Sequence, residues 1–162
     1  MEFGTLVKTY QEPLYWHLRR LVVNHEDARD LLQDTLLRAW RGIDSLRDKR
    51  ALRAWLYKIA TNEAYRFLRQ HREQPLSTEE VSEMLLGRLE SSSYVDYEQQ
   101  VEVKFQQALL TLSEQQRAVF TLRYYDEMPY DEIAEVLEST PASLRVSYHY
   151  AEQRIRDYLK TH

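Results

Sequence analysis

The stretch YDEIAEVLESTPASLRVSY, from Tyr130 to Tyr148, indicates two helices joined by a tight turn. Apolar residues at helical spacing mark the first helix: Ile133, Ala134 and Leu137. Thr140 followed by Pro141 is typical of the cap and first turn of a second helix. A short helix, a turn and a longer helix in this order are the layout of a helix-turn-helix.

The longer helix is expected to run from Pro141 to about Leu159. Its buried stripe would comprise Leu144, Tyr148, Ala151, Ile155 and Leu159. Its first half would then present an outward-facing set: Ser143, Arg145, Val146, Ser147, His149 and Tyr150. Such turns can enter a DNA major groove, and their free backbone amides favour phosphate. An ordinary helical hairpin has the same spacing, so both interpretations stay open from this segment alone.

Residues 99–162 form one predicted unit, because a periodic block leads into the motif. The apolar positions of this block are Val101, Phe105, Ala108, Leu109 and Leu112, and a capping box can follow from Ser113 to Gln116. Residues 73–98 are different, since they carry seven acidic residues against one basic residue and have no sustained apolar stripe. We interpret them as a linker, in which Val81 to Leu89 could form a short helix.

Residues 1–72 are expected to form a first domain of four helices. Pro13 suits the first turn of a helix, so it would separate a short helix from a second one that reaches Val22. Asn24 can cap the third helix and Gly42 can end it. The apolar stripe of this third helix would be Ala28, Leu31, Leu32, Thr35, Leu36, Ala39 and Trp40. The fourth helix covers Leu52 to Leu68.

The fourth helix and the segment before it are rich in cations. Residues 46–72 carry eight basic and two acidic residues. Cations and aromatic rings alternate at four-residue steps (Arg53, Tyr57, Thr61, Tyr65, Arg69), and Lys58, Asn62 and Arg66 line the adjoining strip. This pattern suits a nucleic-acid strand whose phosphates meet cations while its unstacked bases lie on rings. Alternatively, Tyr57 and Tyr65 are half-buried covers of the core.

The third helix offers a polar stripe opposite its apolar one, made of Asp27, Asp30, Gln33, Asp34 and Arg38. Such a stripe could bind a basic partner surface. A solvated acidic face with no partner is the alternative.

The composition favours an all-α chain and excludes several function classes. Three glycines and four prolines in 162 residues leave room for long helices, and the absence of cysteine excludes disulfides and thiolate metal sites. No apolar run is long enough for a membrane span, and Met1 to Tyr10 lacks the pattern of a secretion signal, so we expect a cytoplasmic protein without membrane insertion. The five histidines are scattered and no catalytic motif is present, so we expect neither an enzyme nor a cofactor.

Three segments together resemble the extracytoplasmic-function (ECF) class of the sigma-70 family of RNA polymerase sigma factors. They are DARDLLQDTLLRAWRGIDSL (Asp27 to Leu46), RAWLYKIATNEAYRFLRQHR (Arg53 to Arg72) and the stretch from Leu110 to Leu159 that contains the tripeptide EIA at 132–134. The resemblance implies two all-α domains, sigma region 2 and sigma region 4, on either side of the linker. It also implies core RNA polymerase and promoter DNA as partners, with an anti-sigma factor as a further partner known from the class.

The resemblance assigns three sets of site residues. Docking on the polymerase clamp helices falls to Asp27, Asp30, Gln33, Asp34, Leu37 and Arg38. Recognition and melting of the minus-10 element fall to Arg47, Lys49, Arg50, Arg53, Tyr57, Lys58, Asn62, Tyr65, Arg66 and Arg69. Recognition of the minus-35 element falls to Ser143, Arg145, Val146, Ser147, His149 and Tyr150.

The chain departs from the family pattern at some of these places. Glu138 stands where relatives usually have a small residue, often glycine, which predicts a different turn geometry. Ser147 and Tyr150 stand near places that are usually basic, which predicts a shallow salt dependence or weak binding upstream. Asp48, Lys49 and Arg50 replace a small, often glycine-containing pattern in the base-capture loop.

A stand-alone helix-turn-helix regulator that binds operator DNA as a dimer is the main alternative. It would carry a long exposed dimer stripe, and the sequence has none. It would also leave the cationic, aromatic fourth helix unexplained.

Overall fold

The computed structural model describes residues 2–71 and 97–162. Seven α-helices make up the described part: α1 (Phe3–Val22), α2 (His25–Gly42), α3 (Leu52–Gln70), α4 (Tyr97–Leu109), α5 (Glu114–Tyr124), α6 (Tyr130–Leu137) and α7 (Pro141–Thr161). Two short 3₁₀ helices, Ile43–Ser45 and Lys49–Ala51, connect α2 to α3. No strand occurs within these residues, which confirms the all-α prediction. The linker prediction, including the short helix from Val81 to Leu89, lies almost entirely outside the described residues.

The prediction of two helices before residue 23 is wrong, because α1 continues through Pro13. Proline removes one backbone donor and normally kinks or ends a helix. Here Leu14, Leu18 and Leu21 are fully buried on one stripe, so continuing the helix past Pro13 places these leucines in the core. The first unit therefore has three long helices instead of four within residues 2–71.

Three of the predicted helix starts are confirmed by their caps. The side chain of Asn24 accepts a hydrogen bond from the Asp27 amide at 3.0 Å. Ser113 and Gln116 form the reciprocal capping box. Thr140 accepts from the Ser143 amide at 3.2 Å, and Pro141 is the first residue of α7.

The turn after α6 keeps the geometry that glycine usually provides. Glu138 has φ 53° and ψ 52°, in the left-handed region, so the expectation of a different turn is wrong. The Ser139 amide then bonds back to the Ala134 carbonyl at 3.2 Å, which closes the helix end. Glu138 thus accepts a backbone conformation that costs a residue with a side chain about 1–2 kcal/mol.

Two stripe predictions fail at one residue each. Leu159 is 39% exposed, because α7 extends beyond the apolar cluster in which Ala151 and Ile155 are buried. Trp40 is 60% exposed and meets Phe3 edge-on, with ring centroids 5.1 Å apart. The other predicted members of both stripes are buried or half-buried.

The core packs the N-terminal helices α1 to α3 against the C-terminal helices α5 to α7. One cluster of buried apolar side chains runs from α1, α2 and α3 into α5, α6 and α7. A second, smaller cluster joins α4, α5 and α7 around Phe120. The main contacts between the two ends are α3 with α6 and α1 with α5. No helix in the described ranges is long and apolar enough to cross a membrane.

Candidate nucleic-acid interface

The predicted minus-10 residues divide into an open group and a covered group. Exposed residues are Arg47, Lys49, Arg50, Asn62, Arg66 and Arg69; half-buried residues are Arg53, Lys58 and Tyr65; Tyr57 is buried. Arg53, Tyr57 and Lys58 lie in the first half of α3, where α6 and the turn before it pack, whereas Tyr65 lies in the second half. Open and covered residues are therefore neighbours on one helix.

Arg53 is held by the C-terminal unit. Its Nε donates to Oε2 of Glu132 at 2.7 Å and its Nη2 to Oε1 at 2.5 Å. Its Nη1 lies 3.5 Å from the Asp126 carbonyl oxygen. The hydrogen bonds to Glu132 raise the pKa of Arg53 above its ordinary value. The cation is thus fully ionised and already paired.

Tyr57 lies one turn further along α3 and is 1% exposed. Its hydroxyl donates to Oδ1 of Asp126 at 2.7 Å, and burial raises the pKa of Tyr57. Burial also raises the pKa of Asp126. In this conformation the ring packs against His17 at 5.1 Å and is not free to stack on a base.

Lys58 reaches the turn after α6. Its Nζ lies 2.5 Å from Oε1 of Glu138, and this hydrogen bond lowers the pKa of Glu138. The side chains of both residues remain well exposed, at 40% and 69%. Glu138, which departs from the family pattern, therefore has a definite contact partner.

Tyr65 and Arg66 lie in the second half of α3. Burial raises the pKa of Tyr65 to about 12. Its ring packs against the core cluster, as expected if Tyr65 is a half-buried cover of the core. The nearly buried carboxylate of Glu63 forms ion pairs with both Arg38 and Arg66. The Nη1 atom of Arg66 lies 3.5 Å from Oε1 of Glu63. Asn62 and Arg69 project outward beside them.

The loop before α3 is open. Oδ1 of Asp48 caps the short 3₁₀ helix Lys49–Ala51 by accepting a hydrogen bond from the Arg50 amide at 2.9 Å. Nε of Arg50 donates to the same oxygen at 3.3 Å. Arg47 and Lys49 are exposed. This loop therefore offers cations at one end of the open group.

The predicted docking stripe lies on α2. Asp30, Gln33, Asp34, Leu37 and Arg38 are exposed and Asp27 is half-buried. Partial burial raises the pKa of Asp27. A groove of about 290 Å³ beside the stripe brings Asp27, Asp30 and Asp34 together with residues of α3. Leu37 adds an apolar edge, since it is 52% exposed.

The predicted minus-35 residues lie on the outward side of α7. Ser143, Arg145, Val146, His149 and Tyr150 are exposed and Ser147 is half-buried. The Arg145 guanidinium lies over the Tyr130 ring, 5.2 Å from its centroid, which orients the cation beside the start of α7. This surface is open in the same conformation that covers Arg53.

Sequence reasoning missed the residues that join the two ends of the chain. These are Asp126, Glu132, Glu138 and two arginines, Arg20 and Arg117. Arg117 donates to the Leu21 carbonyl at 2.8 Å, and Arg20 stacks on the Tyr125 ring at 3.6 Å. Arg53 and Glu132 are 79 residues apart, so helical spacing carries no signal for their pairing.

Two family models match separate stretches of the chain. The model described as Sigma-70 region 2 matches residues 6–74, which include most of α1 and all of α2 and α3. The model described as Sigma-70, region 4 matches residues 102–155, which include α5, α6 and most of α7. The predicted strand-binding and groove-binding surfaces fall in different matched regions.

Comparisons with known proteins over most of this chain agree with these matches. RNA polymerase sigma factor YlaC of Bacillus subtilis is 33% identical over 153 residues, covering 91% of this chain and 85% of YlaC. ECF RNA polymerase sigma factor SigG of Mycobacterium tuberculosis H37Rv is 29% identical over 99% of this chain but 48% of SigG. The chain thus spans about half the length of SigG.

A solved structure has the same architecture. It is the sigma factor RpoE in complex with the anti-sigma factor NepR from Bartonella quintana, at a TM-score of 0.76 and 26% identity. The match covers 98% of this chain and 96% of RpoE.

Proposed function

The chain belongs to the extracytoplasmic-function class of the sigma-70 family, and we propose that it directs core RNA polymerase to promoters and helps the enzyme to open them. The observation that carries this proposal is the exposed strip of Asn62, Arg66 and Arg69 on α3, continued by the cationic loop before it. Cations and hydrogen-bonding groups at the surface of a region 2 helix suit an unpaired DNA strand. Residues 1–72 and 99–162 act in this proposal as sigma regions 2 and 4, with 73–98 as the linker.

Strand capture by α3 would supply part of the energy of opening. Unpairing and unstacking cost a few kcal/mol for each flipped base, and groups that bind only the single strand offset this cost. Asn62 offers a donor and an acceptor to a base edge. Arg66, Arg69 and the exposed loop cations Arg47, Lys49 and Arg50 offer charge to the phosphates. Arg53, Tyr57, Lys58 and Tyr65 belong to the same proposed set.

The upstream element would be read by α7. Arg145 is the exposed cation of the predicted set and has the donors that favour guanine or phosphate. Ser143, Val146, Ser147, His149 and Tyr150 would supply polar and apolar contacts around it. A set with one arginine and no lysine predicts a shallow salt dependence for this domain on its own.

Polymerase docking would use the α2 stripe. Asp30 and Asp34 are exposed and Leu37 gives an apolar edge, a combination that suits a basic partner helix. Delivery by polymerase also explains how a chain with a formal net charge of -4 acts on DNA, since a tethered second contact gains effective concentration.

Regulation by an anti-sigma factor is part of the proposal. It is supported by the similarity to RpoE, whose structure was solved in complex with an anti-sigma factor. We further propose that the chain works in the cytoplasm, where polymerase and chromosome meet, and that it does no catalysis of its own.

Reconstituted transcription tests the proposed function. The purified full chain is added to core polymerase with a library of promoter fragments, and unpaired thymines are mapped by permanganate. Transcripts and open complexes that depend on both the chain and core polymerase are expected. Specific duplex binding by the chain alone, with no transcripts in the presence of core, would favour the stand-alone regulator instead.

A further inference from the structure

The packing of α6 on α3 leads us to propose that Asp126, Glu132 and Glu138 form an acidic latch, which closes the C-terminal unit over Arg53, Tyr57 and Lys58, three of the ten proposed minus-10 residues. The latch makes the free chain self-inhibited, and opening must precede capture of the minus-10 strand. The closure itself is independent of the proposed function. Its effect on DNA rests on that function.

The three acidic residues bind side chains that would otherwise contact a DNA strand. Glu132 receives the forked guanidinium of Arg53, the geometry with which arginine also holds phosphate. Glu138 takes the ammonium of Lys58. Asp126 accepts the hydroxyl of Tyr57, whose ring is thereby held in the interface. The latch thus substitutes carboxylates for phosphates at two cations and removes one ring.

Contacts outside the latch define the closed arrangement. Arg117 of α5, nearly buried, donates to a main-chain carbonyl of α1. The main apolar cluster also runs through both ends of the chain. The acidic latch therefore acts on a defined interface, in which each carboxylate contacts one side chain of α3.

Closure is asymmetric in what it hides. The outward face of α7, including Arg145 and Tyr150, is exposed while Arg53 and Tyr57 are covered. A closed chain can therefore present its groove-binding helix but only part of its strand-binding helix. If the open form is about one-tenth populated, its apparent affinity for a single strand is about tenfold weaker than the intrinsic affinity.

The test changes only the acidic side of the interface. Glu132→Gln keeps the size of the side chain and removes its charge, and a second variant adds Glu138→Gln. Asp131→Asn is the matched control, because Asp131 lies in the same first turn of α6 but is exposed. Glu26→Cys and Gln153→Cys, both at exposed positions, carry spin labels in a chain that has no cysteine of its own.

Two measurements are made on each chain. Spin-label distances between α2 and α7 report closure without any DNA. Fluorescence anisotropy reports binding of a single-stranded minus-10 oligonucleotide, chosen from the fragments that the chain transcribes with core polymerase. Circular dichroism establishes that every variant keeps its helix content.

We expect the Glu132→Gln chain to gain a population at longer distances, and the double variant to gain more. We expect oligonucleotide affinity to rise up to about tenfold in the same order, with Asp131→Asn unchanged. Unchanged distances in the folded double variant, or equal opening by Asp131→Asn, would overturn the latch. Longer distances with no oligonucleotide binding by any chain would support the latch and count against the proposed strand-binding function.

Discussion

The guanidinium of Arg53 forks onto both carboxylate oxygens of Glu132, although the two residues lie 79 positions apart in the chain. The pair is partly exposed, at 36% and 21% of the side chains, so its contribution to stability is modest. Its importance lies in its position, because Arg53 is one of the residues proposed to hold the DNA strand. Asn62, on the same helix, is exposed, so the two residues allow a direct comparison.

We expect both Arg53→Ala and Asn62→Ala to impair promoter opening while leaving the affinity for core polymerase nearly unchanged. Arg53→Ala should also lower the free energy of unfolding by about 0.5–1 kcal/mol, since an ion pair is lost. Asn62→Ala should leave the free energy of unfolding within about 0.5 kcal/mol of its original value, because the side chain is exposed. Permanganate footprinting, a core-binding assay and urea unfolding measure the three quantities. Equal loss of opening and of core binding would argue that these residues only hold the fold.

Asp34 tests the docking stripe on α2. We expect Asp34→Arg to weaken the complex with core polymerase, because a charge reversal in the middle of an exposed acidic face repels a basic partner. Titration of labelled chain with core polymerase measures the affinity. Glu135→Arg, an equal charge reversal at an exposed position on α6, serves as the control and should bind normally. Unchanged assembly of Asp34→Arg would remove α2 from the docking surface.

Arg145 tests the upstream contact. We expect Arg145→Ala to weaken binding of the polymerase complex to a promoter with a minus-35 element by about 1–3 kcal/mol, as for a lost contact to a base. Arg154→Ala, an exposed arginine later in α7, is the control. An equal loss on fragments with a scrambled minus-35 element would assign Arg145 to phosphate, and the salt slope would then fall by about one. No loss on either fragment would exclude Arg145 from the interface.

His17 predicts a pH dependence of stability. It is fully buried and its Nε2 lies 2.8 Å from the Thr61 hydroxyl. Burial, with a smaller effect of the Arg20 charge, lowers the pKa of His17 from 6.5 to about 3. Between these values the unfolded chain binds a proton that the folded chain does not. The stability conferred by neutral His17 is therefore fully present above pH 6.5 and is lost as the pH falls toward about 3.

The expected loss is about 1.4 kcal/mol per pH unit, or about 2 kcal/mol by about pH 5. Urea unfolding across this range, compared with His17→Gln, isolates the contribution from that of the other titrating groups. The two chains should differ less as the pH falls, because the variant has no group to protonate at this site. Parallel stability curves for the two chains would contradict the assignment.

Local chemistry explains what the sequence could predict. Asn24, Ser113 and Thr140 cap helices because each side chain accepts from the amide three residues further on, and this information lies within one turn. The buried stripe of α7 follows from periodicity as far as Ile155 and fails at Leu159, where the neighbouring cluster ends. Pro13 misled the prediction because the loss of one hydrogen bond weighed less than the burial of the leucines beyond it.

The pairing of α3 with α6 could not be predicted in this way. Each partner is consistent with an exposed charged surface when read alone, and no spacing rule relates Lys58 to Glu138 or Tyr57 to Asp126. The division of the proposed minus-10 residues into open and covered ones follows from this tertiary contact. Sequence reasoning predicted the minus-10 residues, and the three-dimensional packing determines which of them are accessible.

Residue 138 has two conflicting roles, one in the backbone turn after α6 and one in the side-chain contact with Lys58. Glycine would adopt the left-handed backbone more easily and would strengthen the end of α6, but it has no side chain to reach Lys58. Glutamate gives up some local stability and gains a tether to the other half of the molecule. Among relatives that differ here, a sturdier helix-turn-helix should accompany a looser association of the two halves, so thermal tolerance and ease of activation would change together.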